Sequence, residues 1–155
     1  MAIEEIFNLI QIDSNTLTAG QPTEEQLADV AQEGCKLVIN LATFDPRYSL
    51  TDEEETCNSL GMSYVNIPVD WASPTVEDYQ AFKVAMIKAA DQKILIHCAA
   101  NYRVTAFYSV YAKQFLSWSD EQGQALIAQI WETNPDWKMD DVWKDYIAAI
   151  DMVID

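Results

Sequence analysis

The sequence predicts an α/β fold in which helices flank a mostly parallel central sheet on both faces. Short apolar runs rich in β-branched residues alternate with amphipathic segments of about 10–15 residues, a pattern typical of parallel strands joined by crossover helices. The chain has 155 residues, and 50% of them are hydrophobic, so it can build a hydrophobic core. No linker or low-complexity tract interrupts the pattern, and we therefore expect one domain over residues 1–155.

The first predicted helix begins at a capping box. Thr23 is followed three residues later by Gln26, and at this spacing each side chain can bond to the backbone N–H of the other residue. We expect the helix to end near Gly34, because glycine favours the turn that closes a helix. The run Lys36–Leu41 (KLVINL) follows and predicts a buried strand.

A second unit repeats this order. Thr51–Glu54 (TDEE) has the spacing of a capping box and predicts a helix that ends near Gly61. The run Met62–Val69 (MSYVNIPV) predicts the next strand, with Pro68 near its end. The acidic run Asp52–Glu55 is expected to be a solvated helix start, because negative charge favours the positive end of the helix dipole.

The second half of the chain continues the alternation and then becomes helical. Thr75 can cap a helix to about Ala90, and Lys93–His97 (KILIH) is the most apolar strand candidate. Three further helices are predicted: Arg103–Leu116, Ser119–Glu132 and Asp140–Val153. Four tryptophans are expected to pack the last helices onto the sheet rather than to form a docking surface: Trp118, Trp131, Trp137 and Trp143.

The charge of the chain excludes several classes of partner. There are 25 acidic and 9 basic side chains, which give a formal net charge of -16. Binding to nucleic acid or to anionic lipid needs clustered Lys and Arg, so we expect neither partner. No apolar run approaches the roughly 20 residues of a membrane span. Met1–Gln11 lacks the basic start of a secretory signal, so a cytoplasmic location is expected.

The rare residue types are more informative than the common ones. His97 is the one histidine, and Arg47 and Arg103 are the two arginines. The three cysteines form an odd number without CxxC spacing, which fits a reducing compartment: Cys35, Cys57 and Cys98. With so few nitrogen and sulfur ligands we expect neither a metal site nor a cofactor.

Three of these rare residues, His97, Cys98 and Arg103, lie in one segment where the most apolar strand is followed by a helix. Ligands bind beyond the carboxyl ends of parallel strands, and a loop that leads into a helix presents unpaired N–H groups to an anion. Such a loop would stabilise a thiolate at Cys98, and Arg103 could hold two anion oxygens. Thr105 could donate its hydroxyl hydrogen to the thiolate or to a leaving sulfur. The predicted anion-binding loop consists of Ala99, Ala100, Asn101, Tyr102 and Arg103.

A histidine and cysteine, a short loop and an arginine that opens a helix are the signature of cysteine-dependent phosphatases. Residues 18–23 (TAGQPT), 38–41 (VINL) and 64–69 (YVNIPV) precede that signature here. Together they resemble a bacterial phosphatase family, once catalogued as a domain of unknown function, within the tyrosine and dual-specificity phosphatase superfamily. That family also supplies the phosphatase-like domain of beta-lactamase-hydrolase-like proteins. The resemblance covers roughly Leu17 to Phe115 and implies a phosphatase-like domain.

The loop departs from the wider superfamily in two ways. Four residues separate Cys98 from Arg103, whereas tyrosine and dual-specificity phosphatases typically have five. Asn101 replaces the usual loop glycine, and asparagine tolerates the left-handed conformation better than other non-glycine residues. A gap of four residues is also the loop length of rhodanese-type sulfurtransferases.

The resemblance implies a mechanism with named roles. Cys98 attacks phosphorus to form a phosphocysteine, while Arg103 and the loop N–H groups hold the phosphoryl oxygens. Asp70, just after the predicted strand Met62–Val69, is the implied general acid, with Asp78 in reserve. His97 would lie beneath the loop, bond to the backbone and orient Cys98.

Two alternatives to phosphatase activity stay open at this point. The protein could be a sulfurtransferase that carries a persulfide on Cys98, or an anion-binding module without turnover. In each case the expected ligand is small and anionic or phosphorylated, and the acidic chain favours weakly charged substrates. Arg47 could be a second anion contact, but a surface ion pair with Asp52 or Glu53–Glu55 is favoured. Cys35 and Cys57 are expected to be packing residues.

Overall fold

A five-stranded sheet lies at the centre of the molecule. The structure is a computed structural model that describes residues 2–133 and 139–152. The strands follow the order β1-β2-β5-β3-β4 across the sheet. Their bounds are Ile10–Asp13 (β1), Thr16–Ala19 (β2), Leu37–Asn40 (β3), Ser63–Asn66 (β4) and Ile94–His97 (β5).

Six α-helices accompany the sheet, after a short 3-10 helix at Ala2–Glu5. They are Glu24–Gln32 (α1), Glu53–Ser59 (α2), Val76–Lys88 (α3), Tyr102–Phe115 (α4), Asp120–Trp131 (α5) and Asp141–Asp151 (α6). The capping boxes expected at Thr23 and Thr75 both form. The prediction of a capping box at Thr51 is wrong: the side chain of Asp52 caps α2 by accepting from the N–H of Glu55.

Four of the five strands run parallel, and this confirms the predicted α/β fold. β2 and β3 each pair in parallel with β5, and β4 pairs in parallel with β3. Only β1 is antiparallel, and it pairs with β2. The carboxyl ends of the four parallel strands therefore meet at one edge of the sheet, where Ala19, Asn40, Asn66 and His97 are the last strand residues.

Successive strand residues face opposite sides of the sheet and meet different helices. Val38 and Leu95 belong to one buried cluster, with Leu27 of α1 and Cys57 of α2. Ile39 and Ile96 belong to the other, larger cluster. That cluster also contains buried residues of the remaining four helices, such as Phe82, Phe107, Leu126 and Trp143. Helices thus cover both faces, as predicted.

The β1-β2 hairpin is the one part of the sheet that the sequence analysis does not predict. β1 alternates between half-buried and exposed residues, and β2 is buried throughout although two of its four residues are threonines. Neither strand is a continuous apolar run, since β1 is IQID and β2 is TLTA. The hairpin matters for the site because β2 leads directly into Gly20 and Gln21, which contact the cysteine loop.

The strand predicted over Met62–Val69 is shorter in the structure, because β4 ends at Asn66. The chain nevertheless stays beside β3: the N–H of Ile67 bonds to the carbonyl of Asn40, and that of Val69 bonds to the carbonyl of Leu41. Pro68 has no N–H and cannot join a ladder. The segment after β4 is therefore held at the edge of the sheet where the cysteine loop lies.

Within the described ranges, no helix is long and apolar enough to cross a membrane.

Candidate active site

Cys98 follows β5 directly and has no exposed surface. Its N–H bonds to the carbonyl of Ala19 at 3.3 Å, so the cysteine starts its loop from the middle of the sheet. Residues 99–101 then lead into α4, whose first residues are Tyr102 and Arg103. In the described part of the chain, the N–H groups of Ala99 and Ala100 donate no hydrogen bond. The strand, loop and helix order predicted from the sequence is therefore present, with unused donors in the loop.

The segment after β2 holds this loop in place. The N–H of Gln21 bonds to the carbonyl of Ala99 at 3.0 Å, and the side chain of Asn8 donates to the carbonyl of Ala100 at 3.0 Å. Gly20 lies against the loop so closely that a Cβ atom there would stand 2.7 Å from the carbonyl oxygen of Ala99. The glycine of the TAGQ sequence is required here, because only glycine lets the two backbones approach this closely.

We expect Gly20→Ala to lower the free energy of unfolding by about 1–3 kcal/mol, since the added methyl group overpacks against backbone atoms that cannot rotate away. Gly123→Ala is the matched control, because a Cβ there meets only side chains at 3.4 Å or more and Gly123 lies inside α5. Alanine in a helix should raise stability by about 0.5–1 kcal/mol. Urea titration of both variants measures the difference. Equal stability of the two variants would contradict the close-approach argument.

Asn101 takes the left-handed conformation expected of it, with φ 72° and ψ 7°. Its side-chain amide donates to the carbonyl of Asn8 at 2.9 Å and to the hydroxyl of Thr18 at 3.1 Å. These bonds are available to asparagine and not to glycine. Asn101 therefore permits the turn, and its side chain also fastens the loop to β2 and to the segment that precedes β1.

Arg103 is buried, and the described residues offer it no charged partner. The residue is 6% exposed, and among the described residues no carboxylate lies within 4 Å of it. One guanidinium nitrogen, Nη1, donates to the carbonyl of Val69 at 3.0 Å. No fully buried nitrogen of this side chain lacks a hydrogen-bond partner. Because none of the described acidic residues pairs with Arg103, its charge is available to an anion from outside.

Asp70 is the residue after Val69 and is exposed. Its carboxylate accepts from the N–H of Ala72 at 2.9 Å, which closes a short turn. The bond from Arg103 to Val69 therefore holds the segment that carries Asp70 against the cysteine loop. Asp78, by contrast, lies in the first turn of α3, where its carboxylate accepts from the N–H of Thr75.

Aromatic rings of the last two helices support both loops. Trp71 stacks on Trp131 of α5, with ring centroids 5.5 Å apart, and its carbonyl accepts from the indole N–H of Trp143 of α6. Tyr102 stacks on Trp131 at 5.1 Å. The packing role predicted for these tryptophans is confirmed for Trp131 and Trp143, and Trp118 packs edge-on against Tyr108. Trp137 lies outside the described residues.

A buried contact between a histidine and a carboxylate lies beneath the loop, and the sequence pattern does not predict its acidic partner. His97 Nδ1 is 3.2 Å from the carbonyl oxygen of Cys98, and Nε2 is 2.5 Å from Oε2 of Glu53. Oε1 of Glu53 accepts from the side chain of Gln21 at 3.0 Å. The expectation that the whole run Asp52–Glu55 is solvated is wrong for Glu53, which is 6% exposed.

The environment of Glu53 keeps it ionised. Burial by itself raises the pKa of this carboxyl, but the hydrogen bond and charge of His97, with the bond from Gln21, outweigh burial and hold the pKa below its ordinary value of 4.5. The carboxylate therefore stabilises the folded state above that value, and its contribution is lost as the pH falls through the lowered pKa. The helical spacing of Glu53 and Cys57 (i, i+4) was the signal that Glu53 faces inward.

Two further expectations, for Arg47 and Thr105, can be compared with the structure. Arg47 is a surface residue, as favoured, but its partner is Asp45 and not Asp52 or Glu53–Glu55. The Arg47 guanidinium lowers the pKa of Asp45 to about 2. The hydroxyl of Thr105 donates to the carbonyl of Asn101 at 2.9 Å rather than to the thiol, because a helical threonine reaches the carbonyl of the preceding turn.

The other two cysteines are buried packing residues, as expected. Burial raises the pKa of Cys57 to about 12 and raises that of Cys35 as well. Both thiols therefore stay protonated at neutral pH. Across the described part of the chain, no three His, Cys, Asp or Glu side chains are grouped so that they could hold a metal ion.

Residues 9–141 match the model of a family described as DSP-PTPase phosphatase fused to NAD+ kinase. The chain belongs to this phosphatase family. The matched segment contains the whole sheet, the cysteine loop, helices α1–α5 and the first residue of α6. The family recognised from the cysteine signature and the TAGQP segment is therefore confirmed.

Solved structures of phosphatases share the fold. The crystal structure of Putative phosphatase (DUF442) from Shewanella putrefaciens CN-32 is 33% identical, with a TM-score of 0.82 over 96% of this phosphatase chain and 93% of that one. The core catalytic domain of the PP-IP phosphatase SIW14 from S. cerevisiae is 12% identical, with a TM-score of 0.74 over 92% of this chain and 85% of that one. At the lower identity the likeness concerns the fold alone.

A curated relative connects the chain with longer proteins. The beta-lactamase hydrolase-like protein of Xylella fastidiosa strain Temecula1 is 28% identical over 105 residues, which are 66% of this chain. The match spans 24% of the length of that relative, so it concerns one segment of a larger protein.

Proposed function

We propose that the protein is a cysteine-dependent phosphatase that hydrolyses a small phosphoester through a phosphocysteine intermediate. The observation that carries this proposal is Arg103, a buried arginine to which the described residues offer no carboxylate partner, at the end of a loop that begins with Cys98. Burying an unpaired charge is costly unless a counter-charge compensates it. A phosphoryl group in the loop would supply that counter-charge.

The reaction divides into two steps with defined roles. The Cys98 thiolate attacks phosphorus, the bond to the leaving oxygen breaks, and Asp70 gives that oxygen its proton. Arg103 and the N–H groups of Ala99 and Ala100 hold the other phosphoryl oxygens as charge develops on them. Water then attacks the phosphocysteine, Asp70 takes its proton, and the thiolate leaves as phosphate is released.

The position of Asp70 favours phosphatase activity over sulfur transfer. A persulfide carrier needs the cysteine and the loop but no acid for a leaving oxygen. Here the segment that ends in Asp70 is fastened to the loop arginine through Val69 and supported by the Trp71 ring stack. Such contacts are expected where a carboxyl group must stay close to the reacting group.

A paired assay separates the possible activities. The wild-type protein is given an aryl phosphate in one reaction, and thiosulfate with cyanide in the other, beside Cys98→Ser as the background of each. Phosphate release above this background is the expected result. Thiocyanate formation without phosphate release would show a sulfurtransferase. If neither product forms above the background, the anion-binding module is the alternative that is left.

Asp70→Asn tests the general acid through its dependence on the leaving group. We expect kcat/KM for an alkyl phosphate, whose leaving oxygen needs a proton, to fall by about 100–10,000-fold. The kcat/KM for p-nitrophenyl phosphate should fall much less, because it reports only the first step and nitrophenolate leaves without protonation. Asp78→Asn is the comparison variant, and a loss confined to Asp78→Asn would transfer the acid role to α3.

A further inference from the structure

Two hydrogen-bond acceptors face the ring of His97, one at each nitrogen. The carbonyl oxygen of Cys98 can only accept, so Nδ1, at 3.2 Å, carries a hydrogen. The second acceptor is Oε2 of Glu53, 2.5 Å from Nε2. The ring is fully buried and the carboxylate side chain is 5% exposed, so water does not replace either contact. The state of the ring therefore depends on which side of the Nε2–Oε2 contact holds the proton.

The surroundings of Glu53 place that proton on the histidine. Gln21 donates an N–H to Oε1, which favours the ionised carboxylate. The other titratable groups that face Glu53 are Cys57 of its own helix, α2, and Tyr64 of β4. Burial raises the pKa of each to about 12, so both are neutral at physiological pH. Among the described residues, His97 is thus the one basic group within 4 Å of the carboxylate.

We propose that Glu53 is a positioning residue that keeps His97 as an imidazolium directly beneath Cys98. Both ring N–H groups then donate, one to the carbonyl of Cys98 and one to Glu53. The pair places its positive end toward the cysteine and its negative end toward α2, and a cation beside a thiol favours the thiolate. Gln21 donates a hydrogen bond to the Glu53 carboxylate and so connects the TAGQ segment to the pair of Glu53 and His97. The consequence for turnover rests on the proposed function; the protonation state does not.

The single histidine makes the first test direct. Nitrogen-15 NMR of the imidazole reports the protonation of each ring nitrogen, and no other histidine in the chain contributes a signal. In the wild-type protein we expect both nitrogens to be protonated at neutral pH. In Glu53→Gln we expect one nitrogen, Nε2, to lose its proton at the same pH. Glu54→Gln removes an exposed charge from the same helical turn and should leave the spectrum unchanged.

A neutral imidazole in the wild-type protein at neutral pH would overturn the proposal, and so would an unchanged imidazolium in folded Glu53→Gln. Because the wild-type spectrum is decisive alone, the test holds even if Glu53→Gln does not fold.

The second test measures the effect on the cysteine. Alkylation of Cys98 by iodoacetamide is followed against pH by peptide mass spectrometry, which separates it from the protonated thiols of Cys35 and Cys57. In Glu53→Gln we expect the pH of half-maximal rate to rise by about one unit or more, a roughly tenfold slower reaction at neutral pH. Glu54→Gln should match the wild type, and equal profiles for all three proteins would contradict the role of Glu53. Neither readout requires turnover, so the proposed role of Glu53 can be tested even if the protein shows no phosphatase activity.

Discussion

Cys98→Ser is expected to abolish phosphate release from an aryl phosphate, with a fall in kcat/KM of roughly 10,000-fold or more. The reason is chemical rather than structural. Serine has nearly the same shape as cysteine, but its hydroxyl is a weak nucleophile at neutral pH. Initial rates at several substrate concentrations, with circular dichroism to confirm the fold, measure this effect.

Cys57→Ser is the matched control for this variant. It makes the same substitution at another fully buried cysteine, whose thiol stays protonated because burial raises its pKa to about 12. We expect a loss of stability and retained turnover for Cys57→Ser. Turnover that survives in Cys98→Ser, or disappears equally in both variants, would contradict the assignment of the nucleophile.

Arg103→Lys is expected to lower kcat/KM by about 100–1,000-fold while the charge of the site stays the same. A guanidinium presents a planar fork that can hold two phosphoryl oxygens, whereas an ammonium is a point charge. Lysine also lacks the geometry to bond to the Val69 carbonyl and an anion together, so the segment with Asp70 loses its tether. Kinetics on an aryl phosphate measure the loss, and the shift of Tm by inorganic phosphate measures anion binding.

The second arginine supplies the control. Arg47 is exposed and pairs with Asp45 on the surface, so Arg47→Lys should keep both turnover and the phosphate-induced shift of Tm. Undiminished kcat/KM in Arg103→Lys would mean that charge alone suffices and that the fork geometry has no role. An equal loss in Arg47→Lys would place the anion site elsewhere.

The sheet and its helices could be predicted because their signals are local. The β-branched runs that become β3 and β5, and the capping boxes at Thr23 and Thr75, depend on residues only a few positions apart. The β1-β2 hairpin lacked such a signal, since two of the four residues of β2 are threonines and the strand is buried by its neighbours in the sheet rather than by its own apolar pattern.

The site was predicted where it is contiguous and missed where it is assembled from distant parts of the chain. Residues from His97 to Arg103 are adjacent in sequence, and so their loop could be recognised. Glu53 lies 44 positions from His97, within a run of acidic residues that resembles any solvated helix start. The tether from Arg103 to Val69 spans 34 positions and ends on a backbone carbonyl, which no residue type reveals.

The central claim is that Cys98 carries the phosphoryl group during turnover, and trapping that intermediate tests it most directly. Asp70→Asn is mixed with p-nitrophenyl phosphate, because the first step then proceeds while hydrolysis is slowed by the missing base. The reaction is stopped by rapid denaturation, and the peptides are analysed by mass spectrometry. We predict one phosphoryl group on the peptide that contains Cys98, located on the sulfur. Turnover without this adduct, or with the phosphoryl group on another residue, would contradict the account.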